Sequence, residues 1–249
     1  MNYRLLSAFA SLFEGKPYRH RISNQNDLIC AELFEDLLLL GKSRKLVERI
    51  ASQQCVVAAG NKTHGVKSRR GDGTFGELIP GEQPIAAKDY LVARGIIATI
   101  EIGAECKILN KAMIKQIGRV MNDMRDQVVQ FKKGTGSNPI TVAVVGVNHA
   151  SYTISYEGRR AYRTGWSEER DPETGGIKRI HNHHPADEAE EAIKRLSEEV
   201  RPHYDEMVIL RYRATNEKPF LFDWVDLAAT RRDFAAALTK ISREYEQRF

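Results

Sequence analysis

Two spacings of apolar residues divide the chain. Through residues 1–50 they recur at three- and four-residue steps, the signature of one helical face. MNYRLLSAFASLFEGK is amphipathic, DLICAELFEDLLLLG has a long apolar face that Gly41 would end, and SRKLVERIAS is a shorter helix. Residues 51–82 change to β-branched fragments, glycines and basic residues, which predicts hairpins and loops. GIIATIEIGAECKIL then reads as the first clear strand, or as two strands joined near Gly103. NKAMIKQIGRVMNDMRDQVVQF returns to the helical period through Ile114, Ile117, Met121, Met124, Val128 and Phe131, with Asn110 as its N-cap. ITVAVVGVNH is a continuous apolar run, as in a strand covered on both faces.

Residues 151–185 are rich in turn formers and lack a period, which predicts a long loop or hairpin. PADEAEEAIKRLSEEVRPH is a charged surface helix with Pro185 suited to its first turn. DEMVILRYRAT and PFLFDWVD read as strands, and RRDFAAALTKISREYEQRF as a closing helix. No polar linker interrupts the chain. The pattern predicts one domain over 1–249, with 1–55 as a helical lobe and 56–249 as an α/β core carrying the long 151–185 loop. Hairpin, acidic strand, helix, buried strand, then helix and strands together predict an α/β sandwich with a mixed sheet.

Composition narrows the class. The chain has 249 residues, 42% of them hydrophobic, enough for a substantial core. Its longest aliphatic block, DLLLLG, is far short of a membrane span, and the first residues lack a signal-peptide cleavage pattern. Three scattered cysteines, Cys30, Cys55 and Cys106, do not make a disulfide framework and point to a reducing cytoplasm. The net charge of +5 permits a polyanionic partner. Its distribution is more telling: NKTHGVKSRRGDG holds Lys62, Lys67, Arg69 and Arg70 before any acid, and EGRRAYRTGWSEERDPETGGIKRIHNHH is loop-like and basic.

Chemistry concentrates in ATIEIGAECKIL, residues 98–109. A strand has a side-chain period of two, so Ile100, Ile102, Ala104, Cys106 and Ile108 would share one face. Glu101, Gly103, Glu105 and Lys107 would share the other. An acid and a lysine two residues apart stand about 6–7 Å apart on one face, close enough to act on one phosphate.

This Glu-x-Lys strand, followed by a helix and a buried strand, resembles the PD-(D/E)XK nuclease superfamily over roughly residues 70–150. The resemblance implies a restriction-endonuclease-like three-layer α/β/α sandwich with a central mixed sheet. It also implies that Glu105 binds a divalent metal and that Lys107 sits beside the attacking water. It draws attention to Gln116, early in the following helix, as a residue near the scissile phosphate. Mg²⁺ (or Mn²⁺) suits the chemistry: it polarises a phosphoryl oxygen, lowers the pKa of bound water and needs only one or two carboxylates. A lysine supplies a compact charge that can orient water.

The sequence has no Pro-Asp dipeptide, a departure from the family pattern that leaves the upstream acid open. Asp72, in the glycine-flanked turn RRGDGTFGE, is favoured over Asp89 in AAKDYLV because glycines allow a phosphate to approach. Glu77 is a further candidate, and Glu101 is assigned a supporting or second-metal role. Lys67, Arg69, Arg70, Lys111 and Lys115 are the candidate phosphate contacts. HNHHP and His149 raise a zinc alternative, although the histidine spacing is wrong for a structural zinc site and no paired cysteines accompany it. The expectation is a Mg²⁺-dependent DNA nuclease, a homodimer if it cuts both strands. The alternative is an inactive nucleic-acid- or protein-binding module on the same fold.

Overall fold

The computed structural model of the chain describes residues 2–20, 22, 24–59, 71–133, 138–157 and 159–249. In chain order the elements are α1 (Arg4–Ser11), α2 (Asn24–Leu40), α3 (Arg44–Ala51), β1 (Cys55–Ala58), β2 (Gly73–Glu77), β3 (Arg94–Gly95), β4 (Ile102–Leu109) and α4 (Met113–Lys132). There follow β5 (Ile140–Asn148), β6 (Tyr152–Ile154), β7 (Ala161–Arg170), β8 (Ile177–His183), α5 (Ala186–Glu199), β9 (Glu206–Ala214), β10 (Phe222–Trp224) and α6 (Leu227–Arg248).

Seven strands form a mixed sheet in the order β10-β9-β5-β4-β2-β1-β3. β2 runs antiparallel to both β1 and β4, and β10 antiparallel to β9; β1 and β3 are parallel, as are β4, β5 and β9, which are joined through α4 and α5. The apolar run of β5 is buried along its whole length, as expected of a central strand between helical layers. One face carries Ile102, Ala104 and Cys106 against Leu5, Phe9, Phe34, Leu37 and Phe234 of α1, α2 and α6. The opposite face carries Ala143, Val145 and Val147 against Ile117, Met121, Met124 and Leu196 of α4 and α5. The architecture is therefore α/β, with six helices among the described residues disposed about a mixed sheet. The N-terminal helices form part of one layer and share its core instead of standing apart as a lobe. No helix among the described residues is long and apolar enough to cross a membrane.

Helix starts are fixed by particular side chains. The Asp36 carboxylate accepts from the Arg4 and Leu5 N–H groups at 2.8 and 2.9 Å, so a residue of α2 caps α1. Ser43 and Asp226 cap α3 and α6 through the Leu46 and Ala229 N–H groups. α4 departs from the expected Asn110 cap. Its N-cap is Ala112, in the left-handed region, and Glu188 of α5 accepts from the Met113 N–H at 2.6 Å. Asn110 is instead buried among the strand ends: its Oδ1 accepts from Asn148 at 2.9 Å and from the Tyr212 hydroxyl at 3.1 Å.

Two further differences matter for the site. The strand expected across residues 95–109 begins only at Ile102. The expected single face also breaks there: Ile100 packs with Phe131, whereas Ile102 joins the core on the other side. Residues 151–185 form a three-stranded antiparallel sheet, β6-β7-β8. Its distal turn is closed by Asp171, whose Oδ1 accepts from the Glu173 and Thr174 N–H groups at 2.8 and 3.1 Å.

Candidate active site

The register of β4 creates the site. β4 pairs with β5 along its full length, but with β2 only at Ile102, Gly103 and Ala104. From Glu105 onward its β2-side edge has no strand partner among the described residues. Side chains take over there: the Cys106 N–H donates to Asp72 Oδ2 at 2.9 Å, and the Asn26 amide donates to the Cys106 carbonyl at 3.0 Å. Asp72 precedes β2 and Asn26 lies in the first turn of α2, so three elements meet at this notch.

The flanking glycines explain how Asp72 gets so close. A Cβ on Gly71 would lie 2.4 Å from Phe131 and 2.9 Å from the Ala104 carbonyl. A Cβ on Gly73 would lie 2.4 Å from Cys30 Cβ. Only glycine lets the chain pass between α4 and α2 at this height, and the aspartate between them is delivered to the edge of β4.

Glu105 and Lys107 point to the α4 side of the sheet, being in register with Ala143 and Val145 of that core. Lys107 Nζ donates to Glu105 Oε1 at 2.5 Å. The Glu105 side chain is 6% exposed and that of Lys107 is 24% exposed, so the pair lies at the bottom of a surface opening. Burial pushes the Glu105 carboxyl up to about 7, and the neighbouring Asp72 charge adds to the shift against the opposing effect of Lys107. Asp72 is also raised, by burial first; the Cys106 N–H and Lys107 oppose this, and the Asp27 charge adds to it. For Lys107, burial alone would lower the pKa, but the Glu105 and Asp72 carboxylates outweigh it and hold the ammonium charged.

Lys107 forms part of the wall of a cavity of about 310 Å³ between α4, the turn before α2 and Asn26. Gln116 and Arg119 of α4 line it, together with Tyr18 and His20. Gln116 is therefore at the cavity, its amide also donating to the Lys111 carbonyl at 3.3 Å. Lys111 is turned away toward β6 and β7, bonded to the Ser155 hydroxyl and 5.5 Å from the Tyr162 ring. Lys115 is exposed on the first turn of α4. Lys67, Arg69 and Arg70 lie outside the described residues.

The other acids go elsewhere. Asp89 is exposed on the loop before β3, where Arg4 donates to its carbonyl at 2.8 Å. The same Arg4 pairs with Glu32, and Glu35 holds the Leu91 and Val92 N–H groups, so this loop lies along the later turns of α2, away from Asn26. Glu77 pairs with Arg49 at 2.9 Å. Glu101 corrects the expected shared face. Its buried carboxylate bonds Arg49 and Tyr245, with Cys55 Sγ at 3.4–3.5 Å, on the side of α3 and α6, opposite Glu105. The bend just before β4 reverses its direction.

Among the described side chains, which do not include His183, the candidate histidines do not assemble. His149 Nε2 faces Glu190 at 3.8 Å, His181 packs on Trp166 at 4.8 Å, and His184 Nδ1 lies 2.8 Å from Glu188. Among the described residues no group of three or more His, Cys, Asp or Glu side chains is arranged to hold a metal ion. The donor set at the notch is two carboxylates, Asp72 and Glu105. It fits a hard divalent cation, which uses one or two carboxylates and keeps several waters. The upward shift of both acids, due in part to their mutual repulsion at Glu105, is what a cation between them would relieve. Asn26 and Asp27 were not singled out from the sequence. SNQND reads there as the polar start of a helix, and only the packing of α2 against the notch gives those residues a second role.

No protein-family model, curated protein or solved structure matches the chain. The functional reading therefore rests on the geometry of the notch.

Proposed function

We propose that the chain is a metal-dependent nuclease that hydrolyses DNA phosphodiester bonds, built on a restriction-endonuclease-like variant of the α/β sandwich and resembling the PD-(D/E)XK superfamily. One observation carries the reading: Asp72, from the turn before β2, meets Glu105-x-Lys107 where the edge of a central strand has no partner strand among the described residues, beside an open cavity. A buried and a half-buried carboxylate with raised pKa values and a charged lysine in a cleft are the mark of a working site more than of a structural one.

Asp72 and Glu105 would hold Mg²⁺ or Mn²⁺. That ion would supply charge neutralisation at the phosphorus and a more acidic bound water. Lys107, kept protonated by both acids, places a positive charge at the cavity wall, where it orients the attacking water and stabilises charge on the phosphoryl oxygens. Asn26 holds the Cys106 carbonyl and so fixes the β4 edge between the two catalytic side chains. Gln116 and Arg119 face the same cavity and would contact the substrate phosphates. Cleavage of both strands would require two such sites, which a homodimer would provide.

The test is incubation of supercoiled plasmid with the purified protein in Mg²⁺, in Mn²⁺ and in EDTA. The expected result is nicked or linear product with either metal and none in EDTA, abolished by Asp72→Asn. Binding without cleavage in either metal would instead favour an inactive nucleic-acid-binding module.

A further inference from the structure

Beside the catalytic cavity lies a second hollow of about 440 Å³, between the first turns of α4 and the start of β7. Lys115, Gln116 and Arg119 line one side, and Arg160, Tyr162 and His184 the other. Among the described residues no Asp or Glu lines it; Glu188 sits behind, occupied by the Met113 N–H and His184. Lys115 and Arg119 are one turn apart and so share a helical face. Gln116 and Arg119 line both cavities, so the two hollows adjoin along α4 and form the two parts of one groove wall between Lys107 and Arg160.

We propose that this hollow is a second phosphate subsite, which holds a phosphodiester neighbouring the scissile one. This rests on the nuclease reading for the identity of the strand, but on its own geometry for the anion. Arg160 is held in place: its guanidinium lies 5.3 Å from the centre of the Tyr162 ring, and Lys111 lies 5.5 Å from the same ring. The cation at the rim is therefore positioned before any ligand arrives. Among the described residues Arg119 has a loose partner, Asp123 at 3.9 Å, with both side chains more than half exposed. Such a pair contributes little, so a phosphate can take the guanidinium over. Two guanidinium forks and an ammonium around one hollow match the planar, multidentate recognition of a phosphate.

The test is a titration of fluorescently labelled 20-mer duplex in EDTA at several NaCl concentrations. It compares wild type with the double variant Lys115→Ala/Arg160→Ala, both residues being exposed. Each phosphate contact on duplex DNA contributes a slope of about 0.9 in log K against log salt. Loss of one subsite should lower the slope by about one unit and weaken binding roughly 10-fold near 0.1 M salt. Lys178→Ala/Arg179→Ala removes the same charge from β8, outside the groove, and should leave the slope unchanged. An unchanged slope in the groove variant, an equal loss in the β8 variant, or no binding by wild type would overturn the subsite. Competition by inorganic phosphate as effective as competition by unlabelled duplex would also overturn it, since the hollow would then be a site for the free anion. Because no turnover is measured, the two readings separate. Groove-dependent binding without cleavage in Mg²⁺ keeps the subsite and removes the nuclease; cleavage with a groove-independent slope does the reverse.

Discussion

Glu101 and Glu105 lie four residues apart, both almost fully buried, yet they do opposite things. Glu101 is closed. Arg49, Tyr245 and Cys55 surround its carboxylate, and Arg49 bridges onward to Glu77. Burial raises its pKa, but the Tyr245 hydroxyl and the Arg49 charge work against that. Glu105 is open. It has Lys107 for a partner, another acid beside it, and a surface cavity at the lysine. A carboxylate surrounded by donors from three elements holds a fold together. A carboxylate set against a second carboxylate stores unfavourable energy that a cation and a substrate can release.

The largest expected effect on stability is at the closed site. Glu101→Ala should cost about 1–3 kcal/mol, because it leaves the buried Tyr245 hydroxyl without its acceptor and Arg49 with Glu77 alone. Denaturant unfolding measures this. Glu105→Gln should stay within about 1 kcal/mol of wild type, since it removes a carboxylate that burial and Asp72 already disfavour. Equal losses in the two variants would break the comparison.

Activity should rank the other way. Glu105→Gln and Asp72→Asn should each lower the Mg²⁺-dependent cleavage rate at least about 100-fold while the protein stays folded. Asp89→Asn should cleave as wild type does. If Asp89→Asn is the inactive one, the notch is not the metal site.

A smaller effect is the dependence of stability on pH, measured in EDTA. The folded pKa of Glu105 lies above the ordinary glutamate value of 4.5, at about 7. Between those values the folded state binds more protons than the unfolded one, so stability should fall as pH rises through that window. Glu105→Gln should flatten this slope. A slope as steep in the variant as in wild type would place the titration elsewhere.

Much of this was legible in the sequence where side-chain period and burial coincide. The period of two put Glu105 and Lys107 on one face, and the continuous apolar run marked β5 as the neighbouring buried strand. The glycines around Asp72 suggested room for a phosphate; the structure packs them instead against Phe131 and Cys30, surfaces that only helix packing brings there. Glu101 was misplaced because a period holds only while the strand does, and the faces reverse just before Ile102. β7 was hidden for a different reason. It is largely exposed on both faces, so no alternation of apolar and polar residues marked it. Asn26 could not be found at all from local pattern, since its role comes from an unpaired strand edge some 80 residues away.

The most direct test of the open site is the rate of Mg²⁺-dependent cleavage of a labelled linear duplex by Lys107→Ala, measured under single-turnover conditions beside wild type. Lys107 is the charge that the two acids hold in the cavity wall. The rate should fall by at least about 100-fold, with unchanged far-UV circular dichroism, because the lost group acts on the transition state. A variant that cleaves at the wild-type rate, or a wild type that does not cleave with either metal, would contradict the assignment of the notch as a nuclease site.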